Sequence, residues 1–239
     1  MKITRRSANL LCAIPIAFLG TTASAYEVVT VSDGGKIEGK VTFQGAVPTK
    51  KIIPNKDKEV CGGVREDPVM LVGADKGVQD AVVYLREVPK GKAWGKEDKH
   101  PQINNKNCRF EPTVQVIRAG PIDILNSDPA LHNTHGFYGK RTAFNLALPN
   151  EGDKITKSLD KPGQVRIECD SHGWMLAWVY VADSPYYAVT GKDGSFSLTD
   201  VPPGEYTLVA IQDYTGETET PVTVKPKETV KLAIELKKK

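Results

Sequence analysis

Apolar and polar residues alternate along most of the chain with a period of two. The segments Ile37 to Phe43, Ala81 to Leu85, Thr113 to Arg118, Val165 to Cys169, Ala177 to Val181, Tyr206 to Ile211 and Val230 to Leu236 are short and rich in β-branched residues. Each predicts a strand with one buried face. No long stretch keeps the 3.6-residue period of an amphipathic helix. Between the runs, Asp33-Gly34-Gly35, Lys192-Asp193-Gly194 and Pro202-Pro203-Gly204 supply the positive or fixed φ that tight turns need. Many short strands punctuated in this way predict an all-β chain built as sandwiches or barrels. Segments 48–60 and 89–107, rich in Lys, Pro, Asn and Gly, read as long loops, and Lys237-Lys238-Lys239 as a solvated end.

The length of 239 residues allows one large or two small domains. Residues 1–25 have the layout of a cleavable signal peptide: a basic start, an apolar run from Leu10 to Leu19, and Ala23-Ser24-Ala25 before Tyr26. The apolar run is too short to span a bilayer, and no later stretch approaches that length. The expected product is soluble and periplasmic or extracellular. Lys2, Arg5 and Arg6 supply the whole formal charge of +3, so the processed chain is neutral. That argues against nucleic acid or an anionic membrane as partner, since both need a clustered positive excess. Removing Cys12 leaves Cys61, Cys108 and Cys169. An odd number in an oxidising compartment leaves one thiol for a metal, a redox partner or an intermolecular bridge.

Composition shifts near residues 100 and 184. The part between them holds all four His, Cys108 and Cys169, and the part after it holds neither type. In that last part, Ala188-Val189-Thr190-Gly191-Lys192-Asp193-Gly194-Ser195-Phe196-Ser197-Leu198 and Val201-Pro202-Pro203-Gly204-Glu205-Tyr206-Thr207-Leu208 resemble the carboxypeptidase regulatory-like family, whose domains are small transthyretin-like β-sandwiches. Gly35 to Phe43 and Gln79 to Leu85 resemble that family's first two strands. The resemblance implies a split domain, 26–99 with 185–239, interrupted by a module at 100–184. Two consecutive domains are the alternative.

The strand Val165-Arg166-Ile167-Glu168-Cys169 carries Cys169 on its apolar face and is followed by Asp170-Ser171-His172-Gly173-Trp174-Met175. Cys-x-x-His-x-x-Met thus sets three soft or borderline donors on one short loop before the next strand. Upstream, Asn126 to His135 offers His132 as a fourth. A thiolate, two imidazoles and a weak thioether are the donor set of a mononuclear blue-copper site. Zinc is the main competing ion, although structural zinc sites prefer two or more Cys at CxxC-type spacing. A Cys169–His172 nucleophile pair lacks a nameable oxyanion hole or orienting group.

At these residues the chain resembles the cupredoxin family, in particular its amicyanin-like members, over about 100–184. The resemblance implies a Greek-key β-sandwich with one copper ion held by His132, Cys169, His172 and Met175. It also implies that Asn133 ties the two ligand segments together beside the sulfur. Phe144 to Leu148 and Gly163-Gln164-Val165 fit the same fold. Ser171 and Gly173 stand where amicyanin-like loops carry prolines, and Asp170 where a neutral hydroxyl residue is usual. Strand alternation puts His135 on the face opposite His132, as a non-ligand, and His100 reads as surface.

With Cys169 as the ligand, Cys61 and Cys108 remain to pair. Trp174 either lines an apolar patch beside the edge of His172, through which electrons leave, or packs into the junction between modules. The expectation drawn from all this is an exported, non-enzymatic type 1 copper protein. It would transfer single electrons between redox partners, for which the resemblance implies c-type cytochromes or a periplasmic dehydrogenase. A copper carrier or sensor, and a structural sandwich with a fixed metal, are the alternatives.

Overall fold

The structure is a computed structural model that describes residues 26–238. The signal peptide expected over 1–25 lies outside the described residues. Among those described are twenty strands and one helical turn, Lys58–Cys61. The chain is all-β, as the alternation predicts. No described helix is long and apolar enough to cross a membrane.

The strand Gly35–Phe43 buries Ile37, Val41 and Phe43 on one face. It lies between Ser195–Val201 and Thr229–Leu236 in a three-stranded sheet. It runs parallel to the latter, with Ile37 opposite Val230 and Val41 opposite Ile234. The facing sheet orders Tyr187–Val189, Val82–Arg86, Gly204–Gln212 and Gly216–Val224. Between the two sheets lie Ile37, Val41, Val83, Leu85, Leu208 and Ile234, among others. Each side chain of this kind contributes roughly 1.5–3 kcal/mol when removed from water. The Lys192-Asp193-Gly194 turn closes against this core. Gly194 has a φ of +78°, and a Cβ there would lie 2.3 Å from the Val41 carbonyl oxygen.

A second core forms between a four-stranded and a five-stranded sheet. The first orders Lys154–Leu159, Gly120–Asn126, Gln102–Lys106 and Arg109–Glu111. The second orders Arg141–Leu148, His132–Tyr138, Gly163–Cys169, Leu176–Ala182 and Val114–Arg118. The chain crosses from one sheet to the other between Glu111 and Val114. Ile103, Phe110, Ile124, Phe144, Ile167 and Val179 are among the residues filling the space between. Val82, Tyr180 and Ile211, with Trp178 and Val116, form an apolar contact between the two sandwiches.

The two segments read as loops depart from that expectation. Gln102–Lys106 is a strand whose inward Asn105 is fully buried. Its amide donates to the Leu125 carbonyl at 2.8 Å and to Thr134 Oγ1 at 3.0 Å, so a polar side chain stands where the pattern looks for an apolar one. Thr49–Ile52 and Arg65–Pro68 pair with each other as a two-stranded arm and with no other strand among the described residues. Between them sit Asp57, the helical turn and Cys61.

Candidate functional site

Alternation along Gly163–Cys169 buries Val165, Ile167 and Cys169 and ends the strand on the thiol. Pairing of Thr134 with Cys169 brings the start of His132–Tyr138 alongside. After Cys169 the chain turns back tightly: the His172 N–H donates to the Cys169 carbonyl at 3.2 Å, and the Met175 N–H to the His172 carbonyl at 2.9 Å. The result is a compact triangle. His132 Nδ1 and His172 Nδ1 are 3.1 Å apart, and Cys169 Sγ lies 3.7 Å from the first and 3.6 Å from the second. Both imidazoles have no exposed surface and Cys169 has 2 %.

Each imidazole is held from behind by a carboxylate. His132 Nε2–H donates to Asp128 Oδ2 at 2.9 Å, and His172 Nε2–H to Asp57 Oδ2 at 2.9 Å. Asp128 is itself fixed by the backbone N–H groups of Asn107 at 2.7 Å and Cys108 at 2.9 Å. With each Nε2 set against a carboxylate, the two rings turn their Nδ1 atoms toward each other. Burial pushes the Cys169 thiol up, against the N–H donors of Asn133, His172 and Ser171. Burial also pulls His132 down, against the hydrogen bond to Asp128. Both shifts favour uncharged groups in a site that water does not reach.

The remaining residues of interest fall around this triangle. Asn133 donates its backbone N–H to Cys169 Sγ at 3.4 Å and accepts the Asp170 N–H at 3.1 Å, while its side-chain Oδ1 is buried without a hydrogen-bond partner. Met175 is 3 % exposed and belongs to the second core. His135 is engaged elsewhere, its Nδ1 with Asp170 at 3.1 Å and its Nε2 with Thr142 Oγ1 at 2.9 Å. His100 is a half-exposed partner of Asp123. Asp57 and Asp128 are absent from the sequence reading. Asp128 stands four residues before His132, a spacing visible in the sequence, whereas Asp57 carries no local signal.

The blue-copper electron carrier expected from the sequence, copper cofactor included, is corrected by two findings. Among the described residues, three groups of His, Cys and carboxylate atoms lie close enough together to hold an ion, and two of them use Cys61 or Cys108. Those sulfurs are bonded to each other, so neither offers a thiolate, and Cys169 is the free cysteine among the described residues. Secondly, the His172 edge expected to face a redox partner is sealed. Asp57 covers its Nε2, and Trp174 donates to the Cys108 carbonyl at 3.2 Å with its ring 5.1 Å from that of His172. Trp174 is partly buried and packed against the second core.

No family model matches the chain. A probable rhamnogalacturonate lyase A from Aspergillus flavus is 23 % identical over 209 residues, covering 83 % of this chain. The chain spans 38 % of that relative's length. Among solved structures, amicyanin from Paracoccus versutus aligns with 36 % of this chain and 85 % of its own at 14 % identity and a TM-score of 0.33. A purple cupredoxin from Nitrosopumilus maritimus aligns with 34 % and 99 % at 23 % identity and 0.31. A copper-containing nitrite reductase from Thermus scotoductus aligns with 38 % and 25 % at 19 % identity and 0.32. At these scores the likenesses carry no argument about ligands, substrates or partners. The chain is an all-β protein of several sheets.

Proposed function

We propose that the chain is an exported, non-catalytic binding protein that holds one transition-metal ion between His132 Nδ1, His172 Nδ1 and Cys169 Sγ, with Met175 as a weaker fourth donor. One observation carries this: two imidazole Nδ1 atoms face each other across 3.1 Å, while each Nε2 lies 2.9 Å from a carboxylate oxygen that takes its proton. Two acceptors at that distance repel unless a cation lies between them. A triangle with the measured sides has its centre about 2.0 Å from every corner, the reach of a metal–imidazole bond and slightly short for a metal–thiolate bond. Binding would deprotonate the thiol and supply the charge that burial otherwise disfavours. The cluster presents no face to a substrate, which favours binding over a Cys–His nucleophile. The disulfide is of the kind that persists in an exported protein. Residues 26–99 with 185–239 form one unit of the proposal and 100–184 the inserted one. Pairing of Gly35–Phe43 with Thr229–Leu236, and of Val82–Arg86 with Gly204–Gln212, supports that division.

The test is to strip the protein with a chelator and titrate it with Zn(II) and with Co(II), reading stoichiometry by native mass spectrometry. One ion per chain is expected, with its tight binding lost in Cys169→Ser. A proton shared between the imidazoles in place of an ion would appear as no specific uptake of either of them, and would overturn the reading.

A further inference from the structure

The arm 49–68 carries Asp57 onto the back of His172; it buries Ile52 and Cys61, and few polar contacts tie it to the second sandwich. Its two strands pair only with each other among the described residues. Its polar ties to that sandwich are the hydrogen bond from His172 Nε2–H to Asp57 and the ion pair of Asp67 with Arg109 at 3.1 Å, on a half-exposed arginine. Its covalent tie is Cys61–Cys108, with both sulfurs inside the second core and Val60 packed beside them. A cleft of about 370 Å³, lined by Ile52, Arg65, Phe110, Trp174, Met175 and Tyr214, undercuts the arm on one side. The helical turn is closed by its own backbone hydrogen bonds. The Val60 and Cys61 N–H groups both donate to the Asp57 carbonyl, at 3.0 and 2.7 Å, which ties Asp57 to Cys61 within one turn.

We propose that this arm is a disulfide-locked lid over the His132–Cys169–His172 cluster, and that reduction of Cys61–Cys108 by a dithiol releases it. In that step the S–S bond breaks and the dithiol closes to its own disulfide, passing two electrons and two protons to the sulfurs of Cys61 and Cys108. The freed turn then lifts Asp57 from His172 and opens a path to Cys169. The proposal does not depend on what the cluster binds.

Ion-free full-length protein is labelled with iodoacetamide before and after reduction by dithiothreitol, and peptide mapping follows Cys169 alone. Backbone hydrogen exchange is recorded on the same samples. Reduction is expected to raise the labelling rate of Cys169 at least tenfold and to accelerate exchange in 49–68 while Gly163–Cys169 stays protected. Asp57→Ala with the bridge intact is expected to raise the rate less. An unchanged rate with the bridge demonstrably reduced overturns the lid. So does a rise that comes only with loss of protection throughout the second sandwich, which would make the bridge a fold staple and not a lock.

Discussion

Asp57 lies 115 residues upstream of His172, yet its carboxylate accepts the Nε2 proton of that imidazole at 2.9 Å. Asp128 does the same for His132 from only four residues away. The two carboxylates orient the rings from opposite sides, and the geometry at Cys169 follows from them: with Nε2 protonated, Nδ1 is the atom left to bind. Partners of this kind are typically worth 10- to 100-fold in metal affinity.

Asp128→Asn is therefore expected to cost more than Asp57→Asn. Asp128 is buried and also accepts the N–H groups of Asn107 and Cys108, so its loss weakens three hydrogen bonds to a charged acceptor. A destabilisation of about 2–4 kcal/mol should appear in urea unfolding. Asp57, on the arm and about a third exposed, should cost less than about 1 kcal/mol in the same experiment while still weakening ion uptake.

The Cys61–Cys108 bridge closes a loop with a sequence separation of 47. By the chain-entropy estimate it contributes about 4 kcal/mol through restriction of the unfolded chain. Double replacement by Ser should lower the unfolding midpoint accordingly, and equal midpoints would show that the loop restricts little.

Asp123 supplies the pH dependence. Lys154 at 2.7 Å, Thr156 at 2.7 Å and His100 hold its carboxyl well below the usual carboxylate range. Because the folded value is depressed, its contribution is complete above the unfolded value of roughly 4 and is lost as pH falls below it. Melting temperature should decline more steeply below pH 4 in the native protein than in Asp123→Asn. Parallel curves would remove Asp123 from the account.

Gly194→Ala tests the first sandwich separately. The positive φ and the approach to the Val41 carbonyl make the new methyl doubly unfavourable, so a loss above about 1 kcal/mol is expected. The environment of Cys169, read by its labelling rate at low temperature, should not change.

Much of this architecture is readable from two-residue alternation. Ile37 to Phe43 and Val165 to Cys169 alternate so clearly that the observed strands extend the expected ones by two residues, at their N-terminal ends. Gln102–Lys106 stayed hidden because its buried side chain at Asn105 is paid for by hydrogen bonds that only the tertiary fold provides. The triangle of His132, Cys169 and His172 involves residues singled out by chemical type and spacing. Its cover does not follow from spacing. Asp57 reaches His172 through a left-handed backbone at φ +49° and a disulfide anchor four residues on, and neither pairing nor period announces such a contact.

The most direct test of the ion site is X-ray absorption at the metal edge of the loaded protein. The proposal predicts one sulfur scatterer at about 2.3 Å and two imidazole nitrogens at about 2.0–2.1 Å, with the sulfur shell missing in Cys169→Ser. A shell of nitrogen and oxygen alone in the native protein would contradict it.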